Sequence, residues 1–134
     1  MSQVIKIMFP GKKQVHAITE GFTIKTDQPP EDGGDGSAPC PYDLFMASIG
    51  TCAGSYVKEF CDARSISTDG VEVTQKIERE SSKTPSKITI EIKLPESFPS
   101  KYRKAVVKAA SACTVKRTIQ NPPEFQIDVV NSAQ

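Results

Sequence analysis

Nine residues, Ala47-Ser-Ile-Gly-Thr-Cys-Ala-Gly-Ser55, are almost free of side-chain bulk, yet they lie inside a stretch whose periodicity is helical. Leu44, Ala47, Ser48, Thr51 and Ser55 recur at helical steps, and Phe45, Ile49, Cys52 and Tyr56 flank them. Pro41 suits the first turn of a helix, and Asp43 complements its positive end. A helix from Pro41 to about Ser65 follows. Gly50 and Gly54 each cost its interior about 1 kcal/mol relative to alanine. Such a helix is stable only if a second helix or a sheet presses closely against it. The chain is therefore built around a buried central helix.

The remainder reads mostly as strand. Val4–Phe9 is a strand, and 10–13 is a turn. Residues 15–19 and 21–26 alternate apolar and polar, as half-buried strands do. Together they predict a three-stranded meander. Residues 27–41 hold four prolines and three glycines, which predicts a long, mobile, acidic loop. After the helix, 71–79 and 86–94 alternate strongly and predict an antiparallel hairpin. Its covered face carries Val71, Val73, Ile77, Ile88, Ile90, Ile92 and Leu94. A second helix is expected over 101–112 and a short third over 113–120, stopped by Pro122-Pro123. Phe125–Val130 reads as a final strand, followed by four frayed residues. The order βββ-α-ββ-αα-β places the chain in the α+β class, as a single domain over 1–134.

Composition narrows the function. Seventeen basic and sixteen acidic residues leave a net charge of +1, which excludes a strongly cationic or polyanion-like protein. There is no tryptophan, and aromatics are 7%, too few for a stacking platform on single-stranded nucleic acid. Lys101, Lys104 and Lys108 read as a solvated helix face, and no nucleic-acid partner is expected. No apolar run approaches the ~20 residues that cross a bilayer, and the first residues lack the apolar core of a secretion signal. The expected location is the cytoplasm, with no membrane association.

The chemistry-bearing residues are four cysteines, at 40, 52, 61 and 113, and one histidine, His16. No two cysteines form a CxxC pair, so neither a zinc site nor a thioredoxin-type motif is written, and no metal or cofactor is expected. His16 falls in a strand and reads as an exposed strand residue. Cys40 is a loop residue between two prolines. Cys61 lies nine residues beyond Cys52, on the opposite side of the helix, and reads as packing. Cys113 opens a helical segment with Lys116 and Arg117 close behind, an environment that favours thiolate. Cys52, in mid-helix, gains little from its own helix and would need a cation from elsewhere. Two small buried hydrophobes are the plainer reading of both.

The segment Ser37-Ala-Pro-Cys-Pro-Tyr-Asp-Leu-Phe-Met-Ala-Ser-Ile-Gly-Thr-Cys52 resembles a motif of the OsmC/Ohr superfamily. Ser111-Ala-Cys-Thr-Val-Lys-Arg-Thr-Ile119 resembles its second cysteine motif. The hairpin between them and the final strand are in family order, and the likeness in detail is closest to the YhfA-like branch. The resemblance implies an OsmC-like fold with two central helices in an intertwined homodimer, the N-terminal strands of one subunit completing the partner's sheet. It also implies thiol peroxidase chemistry. Cys52 matches the peroxidatic cysteine, which becomes a sulfenic acid on reaction with a small hydroperoxide. Cys113 matches the resolving cysteine, and a dithiol reductant reopens their disulfide. The active branches hold the thiolate with an arginine in the N-terminal strands and a glutamate at the helix start. Here the first arginine is Arg64. Lys12 and Lys13 fall in the corresponding turn, Tyr42 stands at the glutamate position, and Asp43 is next to it. These four are the candidate activating residues. Two other readings share the sequence: a non-enzymatic ligand-binding or redox-sensing protein on the same scaffold, and a nucleic-acid-binding module.

Overall fold

In a computed structural model, residues 1–81 and 83–132 are described. They form an α+β chain with two antiparallel sheets and three α-helices. The chain gathers into two compact units, Met1–Ser48 and Ile49–Gln134.

The first unit is a meander of β1 (Lys6–Gly11), β2 (Gln14–Thr19) and β3 (Phe22–Thr26). Met8 pairs with His16, and His16 with Lys25, so His16 is a strand residue as expected, but half-buried rather than exposed. Pro10 cannot donate to a ladder, and the β1–β2 register shifts between Met8 and Gly11, around it. The tight β2–β3 turn uses Gly21 at φ 81°, a left-handed conformation that suits glycine. Paired residues point to the same side of a sheet. One face of the meander therefore carries Ile7, Ala17, Ile24 and Phe22, and Phe22 is 73% exposed.

Residues 27–40 are more ordered than their composition predicts. Asp27, 1% exposed, is the hub. Its carboxylate accepts from the Gln28 N–H at 2.8 Å, the Ser37 N–H at 3.0 Å and the Ser37 hydroxyl at 2.6 Å. Pro30–Asp32 forms a 3-10 turn, and the Gly36 N–H returns to the Gln28 carbonyl at 3.0 Å. A Cβ at Gly34 would collide with that same carbonyl. Buried polar groups tied to backbone N–H groups replace the mobile loop expected from proline and glycine content.

Helix α1 runs from Pro41 to Ala63, as the periodicity predicts. It ends in a Schellman arrangement. Ser65 takes φ 55°, its N–H bonds the Asp62 carbonyl at 3.2 Å, and the Ile66 N–H bonds the Cys61 carbonyl at 2.8 Å. Arg64, the first arginine of the chain, donates to the Phe60 carbonyl at 3.1 Å and stacks 3.7 Å over the Phe60 ring.

In the second unit, β4 (Glu72–Glu78) pairs antiparallel with β5 (Lys87–Lys93). Val73 faces Ile92, Gln75 faces Ile90 and Ile77 faces Ile88, so the expected covered face is the observed one. Ser82 of the hairpin loop lies outside the described residues. A 3-10 turn at Ser100–Tyr102 leads into α2 (Arg103–Ser111), and α3 is Thr114–Gln120. The core joins Ala53, Val57, Phe60 and Cys61 of α1 to Phe98, Val106 and Ala110, with Val71, Ile90, Ile92 and Leu94 packed on it. The close approach that the glycines demand is present at Gly50, where an added Cβ would run into the Gln75 side-chain oxygen. At Gly54 nothing lies within 4 Å.

The predicted final strand is not formed. Residues 121–132 carry no regular structure, and Phe125, Ile127, Val129 and Val130 are 82–97% exposed. A strand needs a ladder partner, and among the described residues the segment has none. Of the four expected frayed residues, Ala133 and Gln134 lie outside the described residues.

Candidate active site

All four cysteines are free thiols. Two of them meet. Cys52 is half-buried on α1, and Cys113 is 2% exposed at the N-cap of α3. The Cys113 sulfur accepts from the Lys116 N–H at 3.5 Å and donates to the Ile49 carbonyl at 3.9 Å. The first contact caps α3, and the second joins it to the turn of α1 that precedes Cys52. Tyr56, one turn after Cys52, shares a hydrogen bond of 2.7 Å with the Thr114 hydroxyl.

The two thiols have opposite environments. The Cys52 pKa is lowered, chiefly by the backbone N–H of Val115, with the Cys113 side chain and the Thr114 N–H adding to it against the burial penalty. Burial pushes the Cys113 thiol up, and its interaction with Cys52 raises it further, against the Lys116 and Val115 N–H groups. The pair is coupled: a Cys113 S–H that donates to a Cys52 thiolate stabilises that thiolate while keeping its own proton. The family resemblance puts the thiolate at Cys52, whereas local sequence context favours Cys113, where a helix begins with cations behind it. The structure buries that sulfur, and desolvation prevails. At Cys52 the sequence asks for a cation, and the donors are instead the backbone N–H groups of Val115 and Thr114.

Beside Cys113 opens a pocket of about 230 Å³, lined by Ile49, Ala53, Ile90, Ile92, Val107 and Lys116 among others. Cys61 is fully buried and its pKa is raised by that burial, in keeping with a packing role. Cys40 is half-exposed, and its carbonyl accepts from Leu44 at the head of α1.

The four candidate activating residues belong to the first unit. The Lys12 ammonium is 2.9 Å from Asp35, whose hydrogen bond and charge raise the lysine's pKa. The Lys13 stem lies along Gly33. Tyr42 and Asp43 occupy the first turn of α1, where Asp43 complements the helix dipole and Tyr42 packs its ring 6.2 Å from that of Phe45. Tyr56 and Thr114 were not singled out from the sequence. The available signal was spacing, since Tyr56 follows Cys52 by four residues on one helix face. Among the described residues no cluster of three or more His, Cys, Asp or Glu could hold a metal ion, and no helix is long and apolar enough to cross a membrane.

The α+β frame thus sets two of the four free thiols, Cys52 and Cys113, beside one another. The chain belongs to the OsmC-like protein family, whose model matches residues 34–128. Several solved structures share the fold. One is a protein from Psychrobacter arcticus, provisionally named an osmotic stress induced and detoxification response protein. It is 24% identical, with 88% of each chain covered and a TM-score of 0.66. An OsmC-like protein from Mycoplasma pneumoniae is 15% identical over 91% of this chain and 89% of that one, at 0.65. An organic hydroperoxide resistance protein OsmC from Legionella pneumophila is 21% identical over 90% of each chain, at 0.54. No curated protein matches the chain in sequence.

Proposed function

We propose that this protein is a cytoplasmic thiol peroxidase that reduces organic hydroperoxides through Cys52 and Cys113. The observation that carries the reading is the opposed pair of thiols, one lowered by backbone N–H groups and one kept protonated by burial. The Cys52 thiolate attacks the outer oxygen of the hydroperoxide. The O–O bond breaks, Cys52 becomes a sulfenic acid, and the alkoxide leaves and takes up a proton as the alcohol. The Cys113 thiol then condenses with the sulfenic acid, forming the S–S bond and releasing water. A dithiol reductant reopens the disulfide by exchange and is itself oxidised to a disulfide. In this reading Lys12, Lys13, Tyr42 and Asp43 activate the Cys52 thiol of a second copy of the chain. That copy belongs to the reading: a homodimer covers the apolar face of β1–β3 and supplies a partner for residues 125–130.

The test is stopped-flow oxidation of the reduced protein with Cys40 replaced by serine, using cumene hydroperoxide and hydrogen peroxide. Mass spectrometry then identifies the products. The expected result is oxidation far faster than that of a free thiol, faster with the organic peroxide, ending in a Cys52–Cys113 disulfide. In Cys113→Ser the sulfenic acid at Cys52 is expected to persist and be trapped by dimedone. Oxidation at the free-thiol rate would overturn the reading. The apolar pocket beside Cys113 favours the second reading in that case, ligand binding without turnover.

A further inference from the structure

We infer that Tyr56 is a positioning residue for the Cys52 thiol, acting through its hydrogen bond to the Thr114 side chain. The inference rests on Cys52 being the reactive thiol. Tyr56 follows Cys52 by one helical turn, so both side chains leave the same face of α1. The Tyr56 hydroxyl reaches Thr114 Oγ1 at 2.7 Å across 58 residues of sequence. Thr114 is the first residue of α3, directly after Cys113. The backbone N–H groups that reach the Cys52 sulfur are those of Thr114 itself and of Val115. One side-chain bond thus joins the helix that carries the thiol to the residue that carries its donors.

A hydrogen bond to sulfur is long and weak, so small errors of aim cost most of it. The Cys113 contacts to Ile49 and Lys116 fix the sulfur of Cys113. The Tyr56 bond fixes the next residue along, from the other side of Cys52. Among the described residues, the titratable group acting on Cys52 is Cys113. The effect of Tyr56 and Thr114 on the thiol is one of placement.

The experiment measures the rate of Cys52 alkylation by iodoacetamide against pH in the full-length reduced chain, with the site resolved by mass spectrometry. Tyr56→Phe removes the hydroxyl and keeps the ring. Thr114→Val removes the other partner and keeps the shape. Each is expected to move the alkylation profile to higher pH and to slow the reaction at neutral pH by about two- to tenfold, the net worth of one hydrogen bond. The double variant is expected to be no worse than either single one. Thr114→Ser restores the hydroxyl and returns the profile toward wild type. A bond that only holds α1 to α3 would lower the melting temperature and leave the profile where it is, and that result would overturn the inference. If Tyr56→Phe does not fold, Thr114→Val carries the test. Alkylation consumes no peroxide. A protein inert to hydroperoxides but with a shifted profile would refute the peroxidase reading and keep this one, and the converse result would do the opposite.

Discussion

Cys113 opens a helix with Lys116 and Arg117 just behind, and yet it is the thiol that keeps its proton. The reason is burial: a thiol on a residue 2% exposed loses more hydration as a thiolate than the N–H groups of Lys116 and Val115 restore. Cys52 is half-buried and collects donors from another helix. A reader of the sequence can find both cysteines, but not the accessibility that decides between them. Asp27 shows the same balance with the opposite result. Its carboxylate is buried but receives three hydrogen bonds, led by the Ser37 hydroxyl, and its pKa falls from 3.8 to about 2. A carboxylate whose folded pKa is depressed contributes stability in full above its unfolded pKa and loses it as pH falls through the folded one. The loop 27–40 is therefore expected to hold its structure down to about pH 4 and to lose this contribution between there and pH 2. In Asp27→Ala that acid-dependent part of the melting temperature should vanish, which a pH series of thermal melts checks. A parallel pair of curves would show that the carboxylate is not the hub.

At the scale of elements, alternation was legible wherever one face of a strand is covered. β4 and β5 came out with the expected pairing because Val73, Ile77, Ile88, Ile90 and Ile92 have only one apolar side on which to lie. Helix α1 was legible from its proline-led start and its periodicity. Two features were not. The loop's order depends on Asp27 finding Ser37, ten residues away, which no local pattern encodes. The segment 125–130 has strand character, but a strand is a property of two segments, and among the described residues none pairs with it. The connection between β5 and α2 offers a direct test of packing. It is held by Phe98, 4% exposed in the core beside Phe60 and Val106, and by Arg103, which donates to the Pro95 carbonyl at 2.8 Å. Phe98→Ala is expected to cost about 3–5 kcal/mol, read by chemical denaturation. A loss well below that would mean that the ring is not part of the core.

For the whole molecule, the question is what covers its bare apolar surfaces. Ile7, Phe22 and Ile24 of β1–β3 and Phe125, Ile127, Val129 and Val130 are exposed, and among the described residues nothing lies within 4 Å of a Cβ built at Gly54. In the proposed homodimer they are buried, and sedimentation should find two copies at micromolar concentration. Gly54 gives a sharper reading. In an open flank, Gly54→Ala would stabilise the helix by about 1 kcal/mol. Against a closely packed second copy, the added methyl group would weaken the assembly. The dimer predicts the second outcome: a lower melting temperature and a weaker association constant. A higher melting temperature would mean that the flank stays open in solution.

One sulfur caps α3, donates to the carbonyl of Ile49 and faces Cys52. In the proposed Cys52–Cys113 disulfide that sulfur would have no proton to give and would be drawn toward its new partner, so the cap and the donor would be withdrawn together. The first turn of α3 is then expected to fray on oxidation. Amide exchange at Lys116, whose N–H the Cys113 sulfur holds in the reduced protein, is expected to quicken with it and so to follow the oxidation state without any thiol reagent.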